Sequence, residues 1–118
     1  MKFIPYGRQY IDKKDINAVS RVLKNDIITS GNQVLTFEKK LNKYLKCKYT
    51  SVCNSGTSAI YLSLLAINLK KNDVIIMPAI NFISSFNIAK TIGAKIYLAD
   101  VDSKTGQMSP EHVEECCK

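Results

Sequence analysis

Apolar residues recur every three or four positions along the first third of the chain, whereas they form short continuous runs in the remainder. The first pattern is typical of amphipathic helices, and the second of strands that are covered on both faces. Two helices are predicted in the first third. One begins at Asp12, a good N-cap, and the other carries the apolar positions of residues 34–45. Residues 1–48 are therefore predicted to be a helical segment distinct from the rest of the chain.

Strands and helices alternate from residue 49 onward. The predicted strands are residues 49–53, 74–77 and 95–99, and the predicted helices are residues 57–68, residues 81–92 and the segment from Pro110. Gly93 suits the C′ position of the second of these helices, and Ser109 the N-cap of the last. Such a short alternation implies parallel βαβ units, so residues 49–118 are predicted to begin an α/β domain with a three-layer parallel sheet. Because the last helix has barely begun at Lys118, we expect a truncated product or a fragment.

The segment Asn54–Ser58 joins the first predicted strand directly to a helix. A helix start leaves backbone N–H groups unpaired at the positive end of the dipole, which makes a site for an anion such as phosphate. Gly56 lets the backbone approach a ligand closely, and Thr57 and Ser58 add hydroxyl donors. The alternative is that Ser55 merely caps a helix. Since neither a Walker loop nor G-x-G-x-x-G is present, a single phosphate fits better than a triphosphate or a dinucleotide.

Phe82 follows the next predicted strand. Ligands of parallel sheets bind beyond the carboxyl ends of the strands, so its ring is expected on the same rim as the Asn54–Ser58 segment. A flat ring there could stack on a flat heteroaromatic ligand, and the alternative is an ordinary core phenylalanine.

The net charge of +7 lies entirely in residues 1–48, where eleven Lys and Arg face four Asp and Glu. Because these charges are interleaved with helix-period apolar residues, they indicate solvated helix faces rather than nucleic-acid binding. The sequence shows neither a secretory signal at its start nor an apolar run long enough to span a membrane, so a cytoplasmic location is expected. Its four cysteines and one histidine lack the spacing of a zinc site.

Six short pieces of sequence together carry a resemblance that each alone would not. They are residues 4–6, 27–31, 37–38, 54–59, 78–82 and 99–102. In this order and spacing the chain resembles the N-terminal part of the DegT/StrS family of sugar aminotransferases, fold-type I enzymes that use pyridoxal 5′-phosphate (PLP). Within the family it is most similar to the branch that aminates a UDP-linked 4-keto sugar for pseudaminic acid synthesis.

The resemblance implies roles for individual residues. Gly56, Thr57 and the amide of Ser58 match the turn that holds the cofactor phosphate, and Phe82 matches the aromatic residue stacked on its ring. The substrate side, often shared across a homodimer, is matched by Tyr6, Asp26, Ile27, Ile28, Thr29 and Gly56. The implied partners are a nucleotide sugar and an amino-acid donor, usually glutamate.

In the family, a lysine that holds the cofactor as a Schiff base lies downstream of the matched region. No lysine of this chain stands in that motif, so the 118-residue chain is expected to be inactive alone. Asp100 and Asp102 belong to a strand-end motif interpreted as structural. Three alternatives stay open: a dehydratase of the same family with histidine in place of the lysine, a non-catalytic module that binds a phosphate or nucleotide sugar, and an unrelated α/β phosphate-binding module.

Overall fold

A computed structural model describes residues 3–5, 7–25 and 27–118. The chain divides into two compact units, Met1–Val52 and Cys53–Lys118. That the helical segment of residues 1–48 forms the substrate and dimer side, as the matches of Tyr6 and residues 26–29 imply, stays a prediction.

The first unit contains two helices, α1 (Lys13–Val22) and α2 (Asn32–Leu45). The predicted start of α1 is confirmed, because the Asp12 carboxylate accepts the backbone N–H of Asp15 at 3.1 Å. The Asp15 carboxylate in turn accepts the N–H of Asp12 at 2.9 Å, which completes a capping box. Neither helix buries a residue, so both apolar faces are open to solvent.

The chain after α2 does not form a strand. Residues 49–53 were predicted to form a buried strand, and this prediction is wrong: Tyr49 is exposed and no ladder forms in the part of the chain that the structure describes. A strand needs a neighbour to pair its N–H and C=O groups, and the described residues provide none here. One backbone group of this segment is paired by a side chain instead. The Glu38 carboxylate on α2 accepts the N–H of Val52 at 3.0 Å.

The second unit alternates helices and strands as predicted. Its elements are α3 (Gly56–Ala66), β1 (Val74–Pro78), α4 (Ser84–Ile92), β2 (Lys95–Ala99) and α5 (Pro110–Cys116). Strands β1 and β2 pair in parallel, with Val74 opposite Lys95 and Pro78 opposite Ala99. Helix α4 is the crossover between them and contacts both β2 and α3, while α5 contacts β2. This confirms the βαβ unit, and the sheet of the described residues has two strands.

Among the described residues, those that are buried lie in this crossover unit. They are Met77 in β1, Ser84 and Ala89 in α4, and Ala99 in β2. Many large apolar side chains of the described residues are exposed, among them Ile16, Phe37 and Phe82. Apolar surface therefore remains uncovered, as it does on proteins that present interaction faces.

Gly93 ends α4 in the left-handed conformation, at φ +89°, as predicted for a C′ position. Its N–H donates to the carbonyl of Ala89, and Ala94 donates to the same carbonyl at 3.0 Å. A β-carbon at residue 93 would lie 3.2 Å from Cγ of Lys71, closer than most such contacts. The backbone angle therefore favours glycine here, and a β-carbon would in addition press on the Lys71 side chain.

Replacing Gly93 by alanine is expected to cost about 1–2 kcal/mol of stability in the crossover unit. Amide hydrogen exchange of β1 and β2 should show protection lower by about five- to thirtyfold. Gly106→Ala is the matched control, because φ is +68° there but nothing lies within 4 Å of the methyl group that alanine would add. An equal loss in the two variants would exclude the contact with Lys71 as a cause.

Candidate functional site

Helix α3 begins with an open pair of backbone donors. Ser55 is its N-cap, and the Ser55 hydroxyl accepts the N–H of Ser58 at 3.1 Å. Ser55 therefore caps the helix, and the cap leaves the N–H groups of Gly56 and Thr57 without a partner among the described residues. A β-carbon at Gly56 would meet nothing within 4 Å, so an anion can approach the backbone there. We refer to residues 54–58 as the 54–58 turn.

The serine hydroxyls of the 54–58 turn bond to the protein itself. Ser58 Oγ donates to Oδ1 of Asn54 at 2.7 Å, and the hydroxyls of Ser55 and Ser58 lie 3.0 Å apart. Ser58 was predicted to offer its amide and its hydroxyl to a ligand, whereas in this structure both donate within the turn. The Thr57 hydroxyl makes no hydrogen bond within the described residues.

Phe82 lies in the loop between β1 and α4 with its side chain 74% exposed. The alternative that it is a core residue is therefore wrong. Helix α4 starts at Ser84 rather than at the predicted Asn81, because the Asn81 side chain accepts the N–H of Phe82 at 2.7 Å and competes with the helix. A shallow groove of about 100 Å³ beside the ring is lined by Phe86 and Leu98, among others.

The predicted substrate-side residues belong to the first unit, apart from Gly56. Ile27, Ile28 and Thr29 are exposed in the connection between α1 and α2. Ile27 lines a mainly polar groove of about 570 Å³ together with Lys24 and other residues of the connection. Tyr6 and Asp26 lie outside the described residues.

Asp102 holds a turn together, in line with its structural interpretation. Its carboxylate accepts the N–H groups of Thr105 at 2.8 Å and Lys104 at 3.0 Å. The turn is closed by an antiparallel bridge between Val101 and Met108. These hydrogen bonds, that from the Thr105 amide foremost, lower the pKa of the Asp102 carboxyl below its ordinary value.

Acidification is expected to loosen this turn. Because the pKa of Asp102 is lowered in the folded chain, its contribution to stability is complete above the ordinary aspartate pKa of about 4. It is lost as the pH falls through the lowered value. Carboxyl carbon shifts of Asp102 and the amide shift of Thr105 should titrate together, and Asp102→Asn should abolish the amide titration. A midpoint at or above the ordinary value would contradict this.

Other kinds of site receive no support from the residues described. Within residues 3–5, 7–25 and 27–118, no group of three or more His, Cys, Asp or Glu side chains is arranged to hold a metal ion. Over the same residues, none of the helices has the length and apolar character needed to cross a membrane.

Asn54 is the residue that reasoning from the sequence missed. Its side-chain oxygen accepts the hydrogen bond of the Ser58 hydroxyl and is the last acceptor among the side-chain hydrogen bonds of the 54–58 turn. The available signal was the spacing, since Asn54 and Ser58 stand four residues apart across a helix start, where side chains of these types bond to one another and to the backbone.

Comparison with known proteins gives one consistent family. The model of the DegT/DnrJ/EryC1/StrS aminotransferase family matches residues 9–118. The UDP-4-amino-4,6-dideoxy-N-acetyl-beta-L-altrosamine transaminase of Campylobacter jejuni (serotype O:23/36, strain 81-176) is 38% identical over 98 residues, which are 83% of this chain and 26% of the relative.

Two solved structures show the same fold over nearly the whole chain. A Streptococcus pneumoniae protein described as a sugar aminotransferase, in its PMP form, has a TM-score of 0.87 at 26% identity, over 96% of this chain and 28% of that one. The E. coli GDP-4-keto-6-deoxy-D-mannose-3-dehydratase with bound hydrated PLP has a TM-score of 0.86 at 26% identity. The match covers 94% of this chain and 30% of the dehydratase chain. The chain thus spans less than a third of the length of the relatives it matches.

Proposed function

Because the chain belongs to the DegT/DnrJ/EryC1/StrS aminotransferase family, we propose that it forms the cofactor-phosphate and ring-stacking part of a PLP-dependent aminotransferase. The substrate we propose is a nucleotide-linked keto-sugar, with glutamate as amino donor. When bound, PLP supplies an electron sink for the carbanion formed during amino transfer. This chain's own residues bind and orient the cofactor.

The observation that carries the proposal is the open donor pair at Gly56 and Thr57. Two N–H groups at the start of an eleven-residue helix have no protein partner among the described residues, and the space beyond Gly56 is free. The Thr57 hydroxyl adds a third donor. Three such donors suit the three terminal oxygens of one phosphate group, and PLP carries one phosphate group.

The position of Phe82 supports the second half of the proposal. Helix α4 follows β1, so the loop with Phe82 lies at the carboxyl end of that strand. Helix α3 precedes β1 through a short connection, and a helix so joined runs back along the strand that follows it. We therefore expect the 54–58 turn and the Phe82 ring on the same edge of the sheet, where ligands of parallel sheets bind.

The substrate proposal rests on the relatives. The Campylobacter relative is named as a transaminase of a UDP-linked amino sugar, and we propose a UDP-linked 4-keto sugar of pseudaminic acid synthesis as the substrate here. Tyr6 and Asp26–Thr29 are the proposed substrate-side residues. We further propose a cytoplasmic homodimer, which the uncovered apolar surface supports.

A dehydratase of the same family is the second candidate, because the E. coli dehydratase has nearly the same TM-score as the aminotransferase. The aminotransferases and these dehydratases of the family differ at one residue, which is lysine in the former and histidine in the latter. That residue lies outside the region matched. Both candidates use the same phosphate and ring contacts, so a test of those contacts applies to either.

The test compares three probes in amide and aromatic NMR spectra of the 118-residue chain. Pyridoxamine 5′-phosphate is used in place of PLP because its amine cannot condense with surface lysines. It is expected to shift the amides of Gly56 and Thr57 and the ring of Phe82. Inorganic phosphate should shift the two amides alone, and pyridoxamine without phosphate should shift neither amide. Shifts by phosphate spread over the lysine-rich first unit instead would overturn the proposal.

A further inference from the structure

We propose that Asn54 is a positioning residue for the phosphate-binding donors, acting through the Ser58 hydroxyl. The inference rests on the proposed function of the 54–58 turn and adds a residue to it. In this proposal Asn54 acts through its side-chain oxygen, which accepts the Ser58 hydroxyl proton, and not as a phosphate ligand.

The direction of each hydrogen bond in the turn follows from which atoms can donate. An amide oxygen only accepts, so the 2.7 Å bond between Ser58 Oγ and Asn54 Oδ1 uses the single hydroxyl proton of Ser58. The 3.0 Å bond between the two serine hydroxyls must then be donated by Ser55. Ser55 Oγ also accepts the N–H of Ser58 at 3.1 Å. The hydroxyl protons of Ser55 and Ser58 are therefore both assigned, and this chain of hydrogen bonds ends at the Asn54 side-chain oxygen.

This order determines which donors an anion meets. The hydroxyl protons of Ser55 and Ser58 are held within the protein, so the N–H groups of Gly56 and Thr57 and the Thr57 hydroxyl remain as donors. Donors fixed before a ligand arrives lose little entropy on binding. Without the Asn54 oxygen, the bond between the Ser55 and Ser58 hydroxyls could be donated from either side, and the two protons would no longer be held in one arrangement.

The experiment is a double-mutant cycle read by phosphate affinity. The amides of Gly56 and Thr57 are followed while inorganic phosphate is added to the 118-residue chain. Asn54→Ala and Ser58→Ala are each expected to weaken binding by about three- to tenfold. Because the two side chains belong to one chain of hydrogen bonds, the double variant should bind phosphate no more weakly than the single variant with the lower affinity.

Two variants serve as controls. Ser58→Thr keeps the hydroxyl and should retain the affinity of the unchanged chain. Ser63→Ala removes another hydroxyl of α3, one that donates to the Ala59 carbonyl at 2.8 Å away from the turn, and should leave phosphate binding unchanged.

The outcomes separate this inference from the proposed function. Single variants that bind phosphate like the unchanged chain, or losses that add in the double variant, would overturn the role of Asn54 while the site itself stands. Absence of any phosphate-dependent shift at Gly56 and Thr57 in the unchanged chain would instead overturn the proposed function, and the role of Asn54 with it.

Discussion

Replacing Gly56 by glutamate is expected to weaken phosphate binding severely while leaving helix α3 at least as stable as before. Residue 56 is the first residue of the helix, where a carboxylate is favoured by the dipole. The same carboxylate would occupy the space into which the phosphate enters, which is free of protein atoms within 4 Å of a β-carbon. Repulsion between two anions at such close range is expected to lower phosphate affinity by about hundredfold.

The opposite signs of the two effects make this a strong test. Helix stability is followed by amide exchange in α3, and affinity by titration of the Thr57 amide with inorganic phosphate. Gly56→Ala adds bulk without charge and should weaken binding far less. Gly7→Glu adds the same charge at another open glycine, outside α3, and should leave affinity unchanged. Equal binding by Gly56→Glu and the unchanged chain would exclude the start of α3 as the phosphate site.

Removing the ring of Phe82 is expected to weaken binding of pyridoxamine 5′-phosphate by about tenfold and to leave inorganic phosphate unaffected. Stacked aromatic pairs contribute about 0.5–1.5 kcal/mol beyond the area they bury, and the ring of the ligand would lose that contact and some buried surface. Since the Phe82 side chain is 74% exposed, its removal should cost the fold little.

Two variants check the assignment of that effect to stacking. Phe82→Tyr keeps an aromatic face and should retain affinity for pyridoxamine 5′-phosphate. Ile80→Ala removes an equally exposed apolar side chain from the same loop, 70% exposed, and should change neither affinity. A parallel loss of affinity for inorganic phosphate in Phe82→Ala would mean that the ring acts on the turn and not on a bound heterocycle.

Local signals in the sequence were sufficient to predict the helices and strands of the second unit. The continuous apolar run of β1, the glycine after α4 and the Ser109–Pro110 start of α5 each predict an element through backbone sterics or capping, which depend on near neighbours in the chain. All three appear in the structure. Helix α4 started late because one asparagine side chain competed with its first turn, an effect that apolar spacing does not reveal.

The predicted strand at residues 49–53 failed for a different reason. Its apolar and β-branched residues suit a strand, but a strand is defined by a partner distant in sequence, which no local pattern specifies. Likewise, the sequence could place Phe82 after β1 but could not say whether its ring pointed to the core or to solvent. The hydroxyl directions around Asn54 depended on side-chain rotamers and could be read only from distances in the structure.

The confinement of the buried side chains to one crossover bears on how the polypeptide is made. Met77, Ala89 and Ala99 lie close together in sequence, in two paired strands and the helix that contacts β2, so contacts within this crossover close small loops and carry a low entropic cost. We therefore expect the crossover to form early when the chain folds, including during its synthesis. The nascent chain would then have a folded segment to which later-synthesised residues can add.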